Sequence, residues 1–291
     1  MQVILIANSE KPDALAAAHD LAATLRDTGC HAPVLTEADC QTLAQFHPTL
    51  VVVLGGDGTI LQVARYVACL EAPVVGINFG KLGYLAAFSM EQFKRHMATV
   101  LAGRAPITQR LMLRAAVHQV DHGAANAPQS QALTSRPLYE SLALNDVVIN
   151  AGEPFRMIEM AVRINAHGTT RFRGDGLIVS TASGSTGYNL SAAGPLLSPD
   201  VNAMVLTPIC PHSLSFRPVV LPDHATVVVM PHTVNPGTRV SFDGQVGANL
   251  LADQAVEVRR APLTLALVEN PDLSHWEMLA HKLHWARSPQ Q

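Results

Sequence analysis

Apolar and polar positions follow two different rhythms along this chain, and the change of rhythm divides it. Residues 3–7 (Val-Ile-Leu-Ile-Ala) are an unbroken aliphatic run, which predicts a buried strand. Pro12 to Gly29 carries Leu15, Ala18, Leu21, Ala22 and Leu25 at helical spacing, with a proline near its start and a glycine at its end. Leu50 to Leu54 predicts a second buried strand, Thr59 to Leu70 a helix, Pro73 to Ile77 a third strand and Glu91 to Leu101 another helix. Strand and helix alternate without hairpin signals, the pattern of parallel strands covered by helices.

After about Gly103 the texture changes. Short strand-like runs follow at 111–117, 142–149, 158–164, 176–180, 204–209, 225–230, 238–242 and 262–268, punctuated by Gly, Pro, Asn and Asp. Residues 119–137 are polar and rich in Ala, Ser and Pro, which predicts a loop between two strands. The pattern turns helical again around Trp276 to Trp285 and ends in a polar tail. The division expected is an α/β domain with a parallel sheet over 1–105, a mainly β domain over 106–265 and a tail over 266–291.

Composition narrows the function classes. The 291 residues are enough for two ordinary domains, and 48% hydrophobic against 15% charged residues is a globular composition. A net charge of −3 supplies no basic field for nucleic acid. The first eight residues lack a basic stretch, and their apolar run is too short for a signal peptide or a membrane span, so no membrane association is expected. Cys30, Cys40, Cys69 and Cys210 form no CxxC pair, which reads as reduced cytoplasmic thiols, with Cys210 as a buried filler. His118 and His122 stand four apart, but no third ligand accompanies them.

The densest chemistry lies in Gly55-Gly56-Asp57-Gly58-Thr59, between a strand and a helix. Such a turn aims helix-start N–H groups at one point and lets an anion approach the backbone closely. A carboxylate in an anion-binding turn needs a reason. It caps the helix, or it bridges to phosphate through a metal ion, or it takes a proton from an attacking hydroxyl. The turn is neither a Walker A loop nor the GxGxxG fingerprint.

Further segments carry a resemblance. They are Asp175-Gly176-Leu177-Ile178-Val179-Ser180-Thr181-Ala182-Ser183-Gly184-Ser185-Thr186-Gly187-Tyr188, the pair Asn145-Asp146, the block from Pro208 to Pro218 with Pro211-His212-Ser213-Leu214-Ser215, the segment Ser241 to Gln245, and the glycine turn from Ile77 to Leu85. Together with the Gly-Gly-Asp-Gly-Thr turn, and in the order in which they fall along the chain, they resemble the NAD kinase family. The resemblance implies an α/β domain followed by a β-sandwich domain, a chain end packed back on the first domain, and a homodimer or homotetramer. It implies phosphoryl transfer from ATP or polyphosphate to the adenosine ribose 2′-hydroxyl of NAD, with a divalent metal, Mg2+.

By motif position it makes Asp57 the general base, with Gly55, Gly56, Gly58 and Thr59 around it. It makes Asn145, Asp146, Arg156, Arg173, Asp175, Thr186, Gly187, Tyr188, Asn189, Ser191 and Gln245 nucleotide-binding. Lys81, in the glycine turn, is a further phosphate candidate. Ala182, Ser183 and Gly187 depart from the family's usual Pro-Thr and Ala. Two other functions share parts of this pattern. A lipid kinase would have the same turn but a basic, apolar rim, and no polybasic cluster is present. A non-catalytic NAD(P) sensor would have lost the carboxylate or the glycines, and both remain.

Overall fold

The structure, a computed structural model, describes residues 1–36, 40–80, 82–120, 133, 136–213 and 215–283. Lys81, His122, most of the polar 119–137 segment, and the stretch from 284 with Trp285 lie outside the described residues. The chain forms two compact units. One is Met1–Gln109 together with the chain from Leu265 on, and the other is Arg110–Thr264.

The first unit alternates strand and helix: β1 (Val3–Ala7), α1 (Pro12–Asp27), β2 (Val34–Leu35), α2 (Cys40–Gln45), β3 (Leu50–Gly55), α3 (Asp57–Val67), β4 (Val74–Asn78) and α4 (Met90–Leu101). The four strands run parallel in the order β2-β1-β3-β4. Every residue of β1 and β3 is buried, because helices cover both faces of a parallel sheet. Helix α1 turns Ala14, Ala18, Leu21, Ala22 and Leu25 inward, one face of a 3.6-residue period.

Sheet order decides where this unit can bind a ligand. From β1 the chain moves one way to β2 and then back across to β3. The two carboxyl ends at that reversal are therefore the expected ligand position of an open α/β sheet. They carry the Asn8–Lys11 segment and the glycine turn.

A third segment reaches the same ends. The chain after β4 returns along it, with Asn78 N–H donating to the Phe88 carbonyl at 2.8 Å and Phe88 N–H to the Gly76 carbonyl at 3.1 Å. Phe88 and Phe93 are fully buried and meet edge to face, with ring centroids 6.2 Å apart. Ser89 then starts α4 through a capping box with Gln92. This anchorage fixes residues 83–86, which the site uses.

The second unit is a sandwich of two antiparallel sheets. One contains β5 (Ile107–Gln119), β6 (Tyr139–Ala143), β8 (Ile158–Ile164), β9 (Thr169–Gly174), β13 (Val227–Thr233) and most of β16 (Gln254–Val268). The other is β12-β11-β10-β7-β14-β15, formed by β7 (Asp146–Asn150), β10 (Gly176–Thr181), β11 (Ala203–Ile209), β12 (Val219–Pro222), β14 (Arg239–Phe242) and β15 (Val246–Asn249). Every second residue of the strands, such as Val147 and Ile149, Leu177 and Val179, Val227 and Val229, fills the shared core.

One expected strand is corrected. The run 142–149 is two strands, β6 and β7, in different sheets, broken at Leu144 and Asn145. Apolar residues on both sides of Asn145-Asp146 make the run read as one strand, while the Asp243 carboxylate captures the backbone at the break. Cys210 is also corrected: it is exposed, at φ 45, just past the end of β11.

Removing the Phe88 ring should leave a cavity at the foot of the 83–86 segment. We expect Phe88→Ala to lose about 3–5 kcal/mol of stability, read as a lower urea midpoint with an unchanged m-value. An unchanged midpoint would mean that Phe88 is not the anchor.

Candidate active site

Asp57 is the first residue of α3, and Gly56 is its N-cap without a side-chain bond. The Asp57 carboxylate therefore does not cap its own helix. It reaches the segment after β4, where three successive N–H groups donate to it: Tyr84 to Oδ2 at 2.8 Å, Leu85 to Oδ1 at 3.0 Å and Ala86 to Oδ1 at 2.9 Å. Gly83 permits the approach, because a Cβ there would stand 1.9 Å from Asp57 Oδ1. The Tyr84 phenol is pushed above its ordinary pKa, first by burial and then by the Asp57 charge, and its buried oxygen has no partner among the described residues.

Around this carboxylate the ends of β1, β3 and β4 interlock. Asn8 donates to Thr59 Oγ1 at 3.1 Å. Lys11 Nζ donates to the Phe79 carbonyl at 2.8 Å and lies 3.4 Å from the Gly55 carbonyl. A Cβ on Gly56 or Gly80 would come 3.7 or 3.8 Å from that ammonium. Thr59 is buried, its N–H bonded to the Gly56 carbonyl, so it serves the shape of the turn. The N–H groups of Gly56, Asp57 and Gly58 have no acceptor inside the helix. The result is a glycine turn with helix-start donors and one ammonium, which suits a phosphate.

The second unit has its own cluster at the break between β6 and β7. Asp243 and Gly244, at φ 52 and 66, are the central residues of the β14–β15 hairpin turn, closed by Gln245 N–H on the Phe242 carbonyl at 2.9 Å. This turn aims the Asp243 carboxylate at three successive N–H groups: Leu144 at 2.9 Å, Asn145 at 2.7 Å and Asp146 at 3.1 Å. Thr181 closes the break from the other side, its hydroxyl donating to the Leu144 carbonyl at 2.6 Å and accepting from Gly184 N–H at 3.1 Å. Gly184 has to be glycine here, since a Cβ would stand 2.1 Å from the Asn145 carbonyl oxygen.

Two groups held this way are unfinished. Asn145 Oδ1 is buried with no donor among the described residues, a state that costs about 1–3 kcal/mol and that a ligand donor relieves. Asp146 is buried beside Asp243, and its pKa is pushed up to about 7, first by burial and second by the Asp243 charge. Tyr188 is raised too, by burial first and then by Cys210, Asp146 and Asp175.

Other expected residues fall differently. Thr186, Gly187 and Asp175 are part-exposed, and Gly58, Tyr188, Ser191 and Gln245 are exposed. Gly187 approaches Asn145 Nδ2, 3.8 Å from where its Cβ would be. Arg156 is exposed in the loop after β7. Arg173 Nε donates to Glu159 Oε2 at 2.9 Å across β8 and β9, an exposed ion pair worth little in stability.

Asn189, in the short helix α5 (Tyr188–Ser191), is corrected. It is fully buried, its amide donates to the Ser185 and Pro195 carbonyls at 3.1 and 3.0 Å, and its Oδ1 accepts from Thr207 at 2.6 Å. Its side chain pins the turn and is not offered to a ligand. Asp243, Lys11 and Gly83 were missed by the sequence reading. The Asp-Gly of a hairpin was the available signal for the first; the other two give none in periodicity or spacing.

The Asp146 shift has a consequence for stability. With its folded pKa raised, the folded chain keeps a proton that the unfolded chain loses from about pH 4 upward. Its stabilising share is complete below that pH and is lost as pH rises through about 7. We expect Asp146→Asn to melt about 2–5 °C above the parent at pH 8, with the gap closing toward pH 4. An equal or lower melting temperature at pH 8 would contradict the burial of this charge.

Comparison with known proteins identifies the family and the fold. The family model of the ATP-NAD kinase N-terminal domain matches residues 35–105, and that of the ATP-NAD kinase C-terminal domain matches residues 144–270. The chain is 36% identical over 298 residues to the NAD kinase of Trichlorobacter lovleyi, covering 98% of each protein. Two solved structures share its fold. Yeast NADH kinase complexed with NADH has a TM-score of 0.85 at 22% identity, over 99% of this chain and 89% of that one. An NAD kinase from Archaeoglobus fulgidus in complex with ATP has a TM-score of 0.73 at 24% identity, over 94% and 95%. On its sequence and both of its domains, this chain belongs to the NAD kinase family.

Proposed function

We propose that the chain moves the γ-phosphoryl group of ATP onto the 2′-hydroxyl of the adenosine ribose of NAD, giving NADP and ADP, with Asp57 as the general base. The observation that carries this is Asp57 itself, a carboxylate fixed inside a phosphate-binding turn. A carboxylate offers about four acceptor directions. The N–H groups of residues 84–86 take three, and the fourth, on Oδ2, is left for a substrate hydroxyl. A secondary alcohol is a poor nucleophile at neutral pH, and a positioned base removes its proton as the P–O bond forms.

The other groups bind and orient. Lys11 and the N–H groups of Gly56, Asp57 and Gly58 hold donor phosphates. Asn145 Oδ1 accepts from the bound NAD, and Asp146 accepts from its ribose hydroxyls. Asp175, Thr186, Gly187, Tyr188, Ser191 and Gln245 complete the dinucleotide side, with Arg156 and Arg173 as its cations. The ATP and NADH bound to the two structural neighbours support this division.

Among the described residues no group of three or more His, Cys, Asp or Glu gathers to hold a metal. The divalent cation, Mg2+, belongs to this scheme as part of the donor nucleotide, ligated by its phosphates. Among the described residues no helix is long and apolar enough to cross a membrane. A cytoplasmic location and a homodimer or homotetramer are part of the proposal; exposed Val219 and Val220 on the edge strand β12 support self-association.

The test is to incubate the purified chain with NAD, Mg2+ and ATP, or polyphosphate in parallel, and to read NADP with an NADP-specific dehydrogenase. Asp57→Asn should lower kcat by about 10²–10⁴-fold with NAD affinity near the parent's. A variant with half the parent's rate would remove Asp57 from the base role. A folded parent forming no NADP would favour the sensor reading.

A further inference from the structure

The last helix brings a second charge to the base. Helix α6 (His275–Leu283) begins at Ser274, whose Oγ accepts from Glu277 N–H at 3.2 Å while the Glu277 carboxylate takes Ser274 N–H at 2.8 Å. Buried Asn270 sets the approach, its amide donating to the Ala87 carbonyl at 2.7 Å, one residue beyond the segment that grips Asp57. Asp272 holds His96 on α4 at 3.0 Å. Met278 and Leu279 are buried. The helix is thus footed at both its apolar and its polar contacts.

From that footing Lys282 reaches the carboxylate. Its Nζ lies 3.7 Å from Asp57 Oδ2 and 4.4 Å from the centroid of the Tyr84 ring, with the side chain 25% exposed. Neither contact uses a hydrogen bond. The first is too long for one, and the second is a ring face. Among the described residues no acceptor stands within hydrogen-bond distance of this ammonium. A lysine with its donors unspent, held beside the atom expected to receive a proton, is placed to meet an anion there.

We propose that Lys282 is a further catalytic residue, whose ammonium binds the oxygens of the transferring phosphoryl group next to Asp57. The inference rests on Asp57 being the base. In the step, the ribose 2′-oxygen forms its bond to the γ-phosphorus as that phosphorus loses its bond to the β–γ bridging oxygen. That electron pair leaves with ADP, and the 2′-hydroxyl proton moves to Asp57 Oδ2. The phosphoryl oxygens carry negative charge toward a carboxylate throughout, and Lys282, protonated at start and finish, offsets the repulsion. The tyrosine face keeps the ammonium beside Asp57 without competing for its N–H groups.

Steady-state turnover of Lys282→Met, Lys282→Ala and Asp57→Asn tests this, with melting curves for each. The methionine keeps an apolar stem over Tyr84. We expect Lys282→Met to melt within a few degrees of the parent, with kcat down by about 10²–10³-fold and KM for NAD within about two-fold. We expect added ethylamine to restore part of the kcat of Lys282→Ala and none of that of Asp57→Asn. A tether holding α6 would lower the melting temperature and give no amine rescue, and that result overturns the proposal. Lys282→Met at parental kcat also overturns it. If Asp57→Asn is inactive in the same series, only the Lys282 role has failed; if Asp57→Asn is active, the base assignment itself has failed.

Discussion

The structure depends on a grip that a carboxylate makes on consecutive backbone N–H groups. Asp57 leaves the first turn of α3 and takes the N–H groups of Tyr84, Leu85 and Ala86. Three charge-assisted bonds fix both oxygens in direction, which a free aspartate on a glycine turn would not achieve. They also tie the turn after β3 to the segment after β4, so the two hold each other in place. The glycine at 83 exists in this arrangement because the carboxylate occupies the space a methyl would need.

The second unit repeats the device with a different outcome. Asp243 grips Leu144, Asn145 and Asp146 in the same manner, and its oxygens are spent on structure. What it exposes to chemistry is the backbone it bends. The chain leaves one sheet after β6 and enters the other at β7, and the two residues at the crossing are an amide with an unmatched oxygen and a carboxyl held near pH 7 by burial and by Asp243 itself. Among the described residues, the unit has an acceptor without a donor and a destabilised charge at one place, an arrangement expected where a ligand supplies the missing partners.

Much of this was legible in the sequence. The continuous aliphatic runs 3–7 and 50–54 could only be strands covered on both faces, and they proved to be β1 and β3. The glycine turn was legible because its chemistry is local: residue type and position next to a strand end were enough. Asn145 and Asp146 were named only through the resemblance to a family pair, since the run 142–149 read as one strand. What was missed is non-local. Lys11 and Lys282 lie far from Asp57 along the chain, and nothing in the periodicity of either helix marks them. The break at 144–145 was hidden because its cause, Asp243, lies 98 residues away from Asn145. Asn189 was read by its place in a signature, and only the three bonds around its amide reveal that its side chain is already committed.

The claim at the centre is that the grip on Asp57 makes the turn catalytic. Gly83→Ala tests it most directly, since the added methyl would meet Asp57 Oδ1 at 1.9 Å and open the grip without replacing a charged or reactive residue. NADP formation by this variant should fall about 100-fold in kcat, with KM for NAD near the parent's and the protein folded by its melting curve. Parental kcat in a folded Gly83→Ala would contradict the account.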